Sequence, residues 1–178
     1  MIVIYITKGC KLLVRKILVP FDNSKYSEKS LVYAVKLANV VFLGNVSKPI
    51  VKILLLHVIQ ELPVTKSLFD KPLRNKKDGS VTTLSEHALG IYKQMEDSMQ
   101  KAMEEKIKKI GSPKGVEFEC VILYGNPANE IVDFADKKKV DLLIMGSNGL
   151  QGLAKIKRLG SVSRKVSERI SCPITIIR

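Results

Sequence analysis

The order of hydrophobic and polar positions predicts strands that alternate with helices along most of the chain. Five short segments predict strands, at residues 16–20, 50–58, 116–123, 140–145 and 173–177. Four are mainly apolar runs, whereas apolar residues alternate along 116–123. After each of the first four, apolar residues recur at the spacing of amphipathic helices, over residues 25–39, 85–110, from 127 onward and 162–170. This alternation favours right-handed crossovers and a parallel sheet covered by helices on both faces.

Two segments interrupt this pattern. The polar stretch 60–84 carries prolines, a glycine and a basic cluster, which predicts a long surface loop inserted into the domain. Residues 1–15 form an N-terminal extension, either an added edge strand or a product of the choice of start site. Early lysines within it do not match a signal peptide. The predicted organisation is this extension followed by one domain over residues 16–178.

Composition narrows the classes of partner. Lys and Arg outnumber Asp and Glu by 30 to 17, which gives a net charge of +13. A charge of this size either attracts anionic partners or belongs to a solvated, charge-rich surface. The absence of Trp and the share of only 6% aromatic residues argue against nucleic acid as a ligand, because stacking platforms for single strands need aromatic side chains. No apolar run is long enough to cross a membrane. The three cysteines form no CxxC pair and no metal-ligand spacing, which favours a reducing, cytoplasmic location.

The most informative segment for chemistry is a glycine-containing loop after the fourth predicted strand. Gly146 and Gly149 open it, and Gly160 and Ser161 close it directly before a predicted helix. Glycines allow close backbone approach, and the free N–H groups and dipole of a helix N-terminus favour phosphate. A single glycine pair would indicate an ordinary turn before a capped helix, with Ser161 as the cap. Two pairs that bracket the loop favour phosphate binding.

Several motifs of the chain resemble the universal stress protein family. They are ILVPFD from Ile17 to Asp22, LLHV ending at Val58, GNPA starting at Gly125, VDLLIMG ending at Gly146, and CPITII ending at Ile177. The resemblance covers residues 16–178 and extends to the ATP-binding branch of the family. It implies an α/β, doubly wound, five-stranded parallel sheet in the order 3-2-1-4-5, the adenine-nucleotide alpha hydrolase-like fold. It also implies a homodimer, which we expect to pair along the final strand, from Pro173 to Ile177.

The resemblance also implies a ligand, ATP or AMP with or without Mg²⁺, and a set of binding residues. The nucleotide-binding branch carries Gly-x2-Gly, a nine-residue spacer and Gly-Ser or Gly-Thr, whereas residues 150–159 make a ten-residue spacer in this chain. By this resemblance, Gly146, Gly149, Gly160 and Ser161 would line the phosphates, and Asp22 would contact the ribose or the nearby phosphate region. The backbone of Val58 would contact the adenine edge, and Pro20 and Val162 are carried over as binding residues with no specific contact assigned. No catalytic and no metal-binding residue is carried over. Asp22 would also suit a helix cap, and Lys155, Lys157 and Arg158 would either face a γ-phosphate or be solvated.

Together with the resemblance, these observations favour the hypothesis that the protein is a regulator of the universal stress response that binds an adenine nucleotide. A slow ATPase is an alternative, with Asp22 as its one obvious catalytic candidate, and a basic nucleic-acid-binding stress protein is another. An adenylating enzyme on a related fold would need a glycine-serine loop after the first strand, which the chain lacks. No GxxxxGK[ST] loop and no GxSxG elbow is present. His57 lies in an apolar run, so we interpret it as structural, and we expect His87 to be exposed at a helix start.

Overall fold

The computed structural model describes residues 3–5, 14–44, 50–61, 72–74, 79, 81–148 and 159–178. Its strands are β1 (Val3–Tyr5), β2 (Lys16–Pro20), β3 (Val51–Ile59), β4 (Pro72–Arg74), β5 (Val81–Thr83), β6 (Val116–Tyr124), β7 (Leu142–Gly146) and β8 (Ile174–Ile177). Its helices are α1 (Lys25–Gly44), α2 (Leu84–Ile110), α3 (Pro127–Lys138) and α4 (Ser161–Arg169).

The main sheet has six strands in the order β1-β8-β7-β2-β3-β6. All neighbours among the last five pair in parallel, so the order 3-2-1-4-5 predicted for five parallel strands is confirmed. The order reverses at β2, where one crossover continues to β3 and another returns to β7. That reversal is a topological switch point, and it separates the connections that leave β2 and β7.

Helices cover both faces of the sheet because successive strand residues point to opposite sides. On one face, Ile17, Ile53 and Leu55 are fully buried in a cluster with residues of α1 and α2. On the other face, Leu18 and Leu143 are equally buried in a cluster with residues of α3 and α4. Strands buried on both faces explain the nearly continuous apolar runs in the sequence.

The helix ends follow local sequence signals. Thr83 caps α2 in a capping box with Glu86, and Asn126 caps α3 by accepting from the N–H groups of Ala128 and Asn129. Pro127 occupies the first turn of α3, as predicted, because its missing N–H would have no partner there.

The polar stretch 60–84 is not only a loop, which corrects the expectation from its composition. β4 and β5 pair as antiparallel strands within it, with Leu73 opposite Thr82. The capping box that starts at Thr83 then begins α2 without a linker. The rest of the stretch is described only at residues 60, 61, 79 and 84.

The final parallel strand is not at the edge of the sheet, which corrects a second expectation. β1 pairs antiparallel with β8, with Val3 opposite Ile176 and Tyr5 opposite Ile174. Of the two interpretations of the N-terminal extension, the structure thus shows an added edge strand. Ile176 is only 2% exposed, so a charge placed there would disrupt the core as well as any interface.

The two cysteines within the described residues are free and partly buried. Burial raises the pKa of the Cys172 thiol to about 11, and burial followed by the nearby Glu104 carboxylate raises the pKa of Cys120. His87 is exposed in the first turns of α2, as expected. In the portion of the chain that is described, every helix is too short or too polar to span a bilayer.

Candidate functional site

A cleft of about 580 Å³ opens beyond the C-terminal ends of β2, β3 and β7, at the switch point of the sheet. Connections from neighbouring strands diverge there, so the fold itself leaves the space. Its volume lies in the range of small-molecule sites. The described residues that line it are Pro20, Phe21, Asp22, Ser27, Leu56, His57, Val58, Gln60, Pro127, Ile131, Met145, Gly146, Asn148, Gly160, Ser161, Val162 and Ser163.

Residues that the sequence analysis placed in one site meet in this cleft, although they are distant in the chain. They are Pro20, Asp22, Val58, Gly146, Gly160, Ser161 and Val162. Gly149 lies outside the described residues, as do Lys155, Lys157 and Arg158 of the spacer.

Asp22 belongs to a short loop that is tied to the start of α1. Its carboxylate accepts from the N–H of Ser24 at 3.0 Å, and its own N–H lies 3.4 Å from the Ser27 hydroxyl. Ser24 Oγ accepts from the N–H of Ser27 at 3.2 Å, which makes Ser24 the cap of α1. Asp22 therefore supports the cap from outside the helix rather than acting as the cap.

His57 holds the same loop from the opposite side. Its Nδ1 lies 2.7 Å from the carbonyl oxygen of Phe21, and a carbonyl can only accept, so Nδ1 carries a proton and donates. The N–H of Phe21 in turn donates to the Leu56 carbonyl at 2.7 Å. The interpretation of His57 as structural therefore needs an addition, because it also lines the cleft and positions the Asp22 loop.

We expect His57→Leu to speed amide hydrogen exchange in the Asp22 loop by about fivefold to tenfold, because one hydrogen bond that fixes this loop is lost. His57→Asn is the matched control, since its side-chain amide can donate from nearly the same place as Nδ1. Amide hydrogen exchange at Asp22 and Ser24, compared among the native chain and both variants, measures the effect. Exchange in His57→Leu as slow as in the native chain would show that the loop does not need this contact.

Val58 offers backbone groups to the cleft. The N–H of Lys52 donates to the Arg15 carbonyl and the Leu56 carbonyl accepts from Phe21, so even-numbered residues of β3 direct their backbone groups toward β2. β2 ends opposite Leu56, two residues before Val58. The N–H and C=O of Val58 thus point into the space beyond β2, and neither is hydrogen-bonded to the backbone of the described residues.

Gly160 is fastened to the end of the fourth parallel strand. Its N–H donates to the Ser147 carbonyl at 2.8 Å, and the buried Ser163 hydroxyl donates to the same carbonyl at 2.8 Å. Both ends of the glycine loop, at Ser147 and Gly160, are therefore held together independently of the spacer between them. The sequence analysis missed Ser163, although its position three residues after a helix-starting glycine is a recognisable signal.

The N-terminus of α4 presents N–H donors to the cleft. Gly160 is the N-cap and supplies no side-chain cap, so Ser161 is the first helical residue and not the alternative cap. The first hydrogen bond of α4 runs from the N–H of Arg164 to the Gly160 carbonyl. The N–H groups of Ser161, Val162 and Ser163 have no acceptor within the helix, which makes them available to an anion.

Gly146 is required by packing rather than by backbone conformation. A Cβ at this position would lie 2.7 Å from the Cβ of Tyr26, 3.0 Å from its carbonyl carbon and 3.3 Å from the Ser27 N. β7 therefore ends directly against the first turn of α1. This contact brings the Asp22 loop and the glycine loop to the same side of the cleft.

The wall of the cleft is apolar. Its members come from β3, α3, β7 and α4, and are Leu56, Pro127, Ile131, Met145 and Val162. Except for Val162, the sequence analysis did not assign them to the site, because buried apolar residues follow the same spacing whether or not they touch a ligand. Among the described residues, no three His, Cys, Asp or Glu side chains lie close enough to hold a metal ion.

Comparison with protein families and curated proteins gives a consistent result. The sequence model of the "Universal stress protein family" matches residues 14–178. Universal stress protein YxiE of Bacillus subtilis is 32% identical over 163 residues, 92% of this chain and 98% of that protein. Universal stress protein MJ0531 of Methanocaldococcus jannaschii is 41% identical over 88 residues, so the match spans about half of each chain, 49% and 51%.

Solved structures share the architecture. Universal stress protein UspA from Lactobacillus plantarum superposes with a TM-score of 0.71 at 19% identity, over 94% of this chain and 100% of that one. A universal stress protein in complex with cAMP has a TM-score of 0.57 at 19% identity, covering 93% and 98%. A family protein from Arabidopsis thaliana with AMP bound has a TM-score of 0.52 at 19% identity, covering 92% and 90%. These similarities show that the fold is common to all of them.

Proposed function

This chain belongs to the universal stress protein family, and from that premise we propose that its cleft binds an adenine nucleotide, ATP or AMP, as a regulatory ligand. The observation that carries the proposal is the pairing of two backbone features across one apolar cleft. The backbone edge of Val58, in β3, and the N–H groups that begin α4, after β7, line the cleft from opposite sides of β2. A nucleotide needs both, because it joins an apolar base to charged phosphates.

The base end suits adenine. The edge of adenine carries one acceptor and one donor side by side, and the Val58 N–H and C=O supply the complementary donor and acceptor. The apolar wall of Leu56, Ile131 and Met145 would cover the faces of the base. Guanine carries the donor and the acceptor in reversed order, so it would leave two buried polar groups unpaired.

The phosphate end of the cleft can bind an anion although the chain has no P-loop. The N–H groups of Ser161, Val162 and Ser163, together with the Ser161 hydroxyl, would donate to phosphate oxygens, and the positive end of the α4 dipole adds to their effect. Asp22, in the loop after β2 that also lines the cleft, would accept from ribose hydroxyls. Relatives described as complexes with cAMP and AMP support an adenine nucleotide as the class of ligand.

Two measurements test the proposal. Mass spectrometry of small molecules released from the purified protein is expected to detect an adenine nucleotide. Calorimetric titration is then expected to show binding of ATP or AMP and at least about tenfold weaker binding of GTP, the matched control for the base. Equal affinity for GTP, or no heat with any adenine nucleotide, would refute the proposal.

Turnover of ATP is expected to be slow, below roughly one per second, the lower end of common enzyme rates. Among the described residues that line the cleft, Asp22 is the single carboxylate, and it already accepts from the Ser24 N–H. Hydrolysis would need a group that orients water, and Asp22 is poorly placed to serve both purposes. Phosphate release over time measures the rate. Faster multiple turnover that Asp22→Asn abolishes would overturn this expectation and indicate an enzyme.

We also propose a cytoplasmic location, supported by the chemistry of the cysteines. Cys120 and Cys172 are free and far apart in the fold, with Cys120 in β6 at one edge of the parallel sheet and Cys172 directly before β8. Free, partly buried thiols are typical of reducing compartments.

A further inference from the structure

The outer edge of β8 is an acceptor for one more strand, and the backbone register identifies its hydrogen-bonding groups. The N–H of Leu143 donates to the Pro173 carbonyl and that of Ser147 donates to the Ile177 carbonyl. Odd-numbered residues of this segment therefore direct their carbonyls inward to β7. Because backbone direction alternates along a strand, Ile174 and Ile176 direct their N–H and C=O groups to the outer edge.

β1 occupies this edge in the register that satisfies those groups. Val3 lies opposite Ile176 and Tyr5 lies opposite Ile174, so these are the hydrogen-bonded pairs of the antiparallel ladder. Ile4 lies opposite Thr175 in the non-hydrogen-bonded pair, and its own N–H points away from the sheet. The match to the family begins only at residue 14, so β1 is an addition to the shared domain.

We propose that β1 is an intramolecular cover for an edge through which two copies of this chain otherwise pair. The homodimer expected along the final strand and β1 need the same N–H and C=O groups of Ile174 and Ile176, so only one of them can form at a time. Release of β1 exposes four unpaired backbone groups on a strand whose side chains are buried, and a second copy of the same edge supplies matching groups.

The relative concentrations of the two competing strands favour the covered form, in which β1 pairs with β8. Only ten residues, 6–15, separate β1 from β2 in the sequence, and a connection of that length presents a group at an effective concentration on the order of millimolar. A second copy at micromolar concentration is about a thousandfold more dilute. Each copy also carries a net charge of +13, so pairing must overcome repulsion between like charges. The intact chain is therefore a monomer at micromolar concentration, and the edge-paired dimer forms when β1 leaves.

Proline substitutions test the proposal with a matched control. Val3→Pro combined with Tyr5→Pro removes both N–H donors of β1, whereas Ile4→Pro removes an N–H that faces away from β8. Sedimentation velocity at micromolar concentration is expected to show a monomer for the native chain and for Ile4→Pro, and a dimer for the double variant. A second variant that lacks residues 1–13 is expected to dimerise in the same way.

Hydrogen exchange identifies the interface. The amides of Ile174 and Ile176 are expected to be protected in the native chain, to exchange at least about tenfold faster in the dilute truncated variant, and to regain protection as its concentration rises. Circular dichroism of each variant checks that the domain is folded. A native chain that is already a dimer, or two uncovered variants that stay monomeric, would overturn the proposal. Protection at Ile174 and Ile176 that does not change when β1 is removed would overturn it as well.

Discussion

Gly160→Asp is expected to reduce ATP affinity by about a thousandfold and to leave the fold intact. Gly160 has φ −63° and ψ 163°, an extended conformation that aspartate adopts readily. Aspartate is also a preferred N-cap, and its carboxylate would accept from the N–H groups near the start of α4. Those N–H groups are the ones we propose for the phosphates, so the variant would satisfy the helix and block the ligand.

The size of the effect follows from charge. A carboxylate and a phosphate about 4 Å apart repel by about 4 kcal/mol at an effective dielectric constant of 20, which corresponds to about three orders of magnitude in affinity. The new Cβ would lie 3.3 Å from the Ser147 carbonyl oxygen and 3.4 Å from Asn148 Oδ1, which requires only small shifts. Melting temperature should therefore change by no more than about 3 °C.

Two matched variants separate charge from hydrogen bonding. Gly160→Asn caps the same N–H groups without the negative charge, so we expect about a tenfold loss of affinity. Ser161→Ala removes one hydroxyl and should cost about 1 kcal/mol, or about fivefold. Calorimetric titration with ATP, with circular dichroism as the folding control, compares all three. Unchanged affinity in a folded Gly160→Asp variant would place the phosphates elsewhere.

Gly146→Ala is expected to destabilise the protein by about 3 kcal/mol, the upper end of the usual cost of overpacking. The added Cβ would lie 2.7 Å from the Cβ of Tyr26 and 3.0 Å from its carbonyl carbon. These atoms belong to the first turn of α1, so relief requires the helix to move rather than one side chain to rotate. Movement of α1 also displaces Ser24 and Ser27, which hold Asp22, and ATP affinity should fall with stability.

Gly90→Ala is the matched control, because the same substitution at that position should stabilise the protein rather than destabilise it. Gly90 is exposed within α2, and an added Cβ would meet no atom within 4 Å. Replacing a helical glycine by alanine stabilises by about 0.5–1 kcal/mol. Urea unfolding of both variants gives the two free energies. A Gly146→Ala variant as stable as the native chain would mean that β7 and α1 are not packed as closely as the structure shows.

The sequence was sufficient for the parallel sheet because the relevant signals are local. Four of the five segments are short apolar runs largely buried on both faces, and β6 begins with alternating apolar and polar residues, so each pattern survives in a single window of the sequence. Helix starts such as that of α3 depend on residues within one turn, and Asn126 and Pro127 could be recognised directly. The resemblance then supplied the strand order, which local periodicity cannot determine.

Tertiary structure decided the features that depend on residues far apart in the chain. The contact of His57 with Phe21 spans 36 residues, and the close approach of Gly146 to Tyr26 joins the end of β7 to the start of α1. Neither leaves a periodic signal, because each depends on the distance between two strand ends in the folded sheet.

The edge of the sheet shows the same division most clearly. From the sequence, residues 173–177 form a strand, and the family order places that strand last. Whether another strand lies beyond it depends on the antiparallel pairing of Val3–Tyr5 with residues more than 160 positions away. A three-residue strand has almost no pattern of its own. Its position is determined by the unpaired N–H and C=O groups of Ile174 and Ile176, which exist only after the parallel sheet has formed.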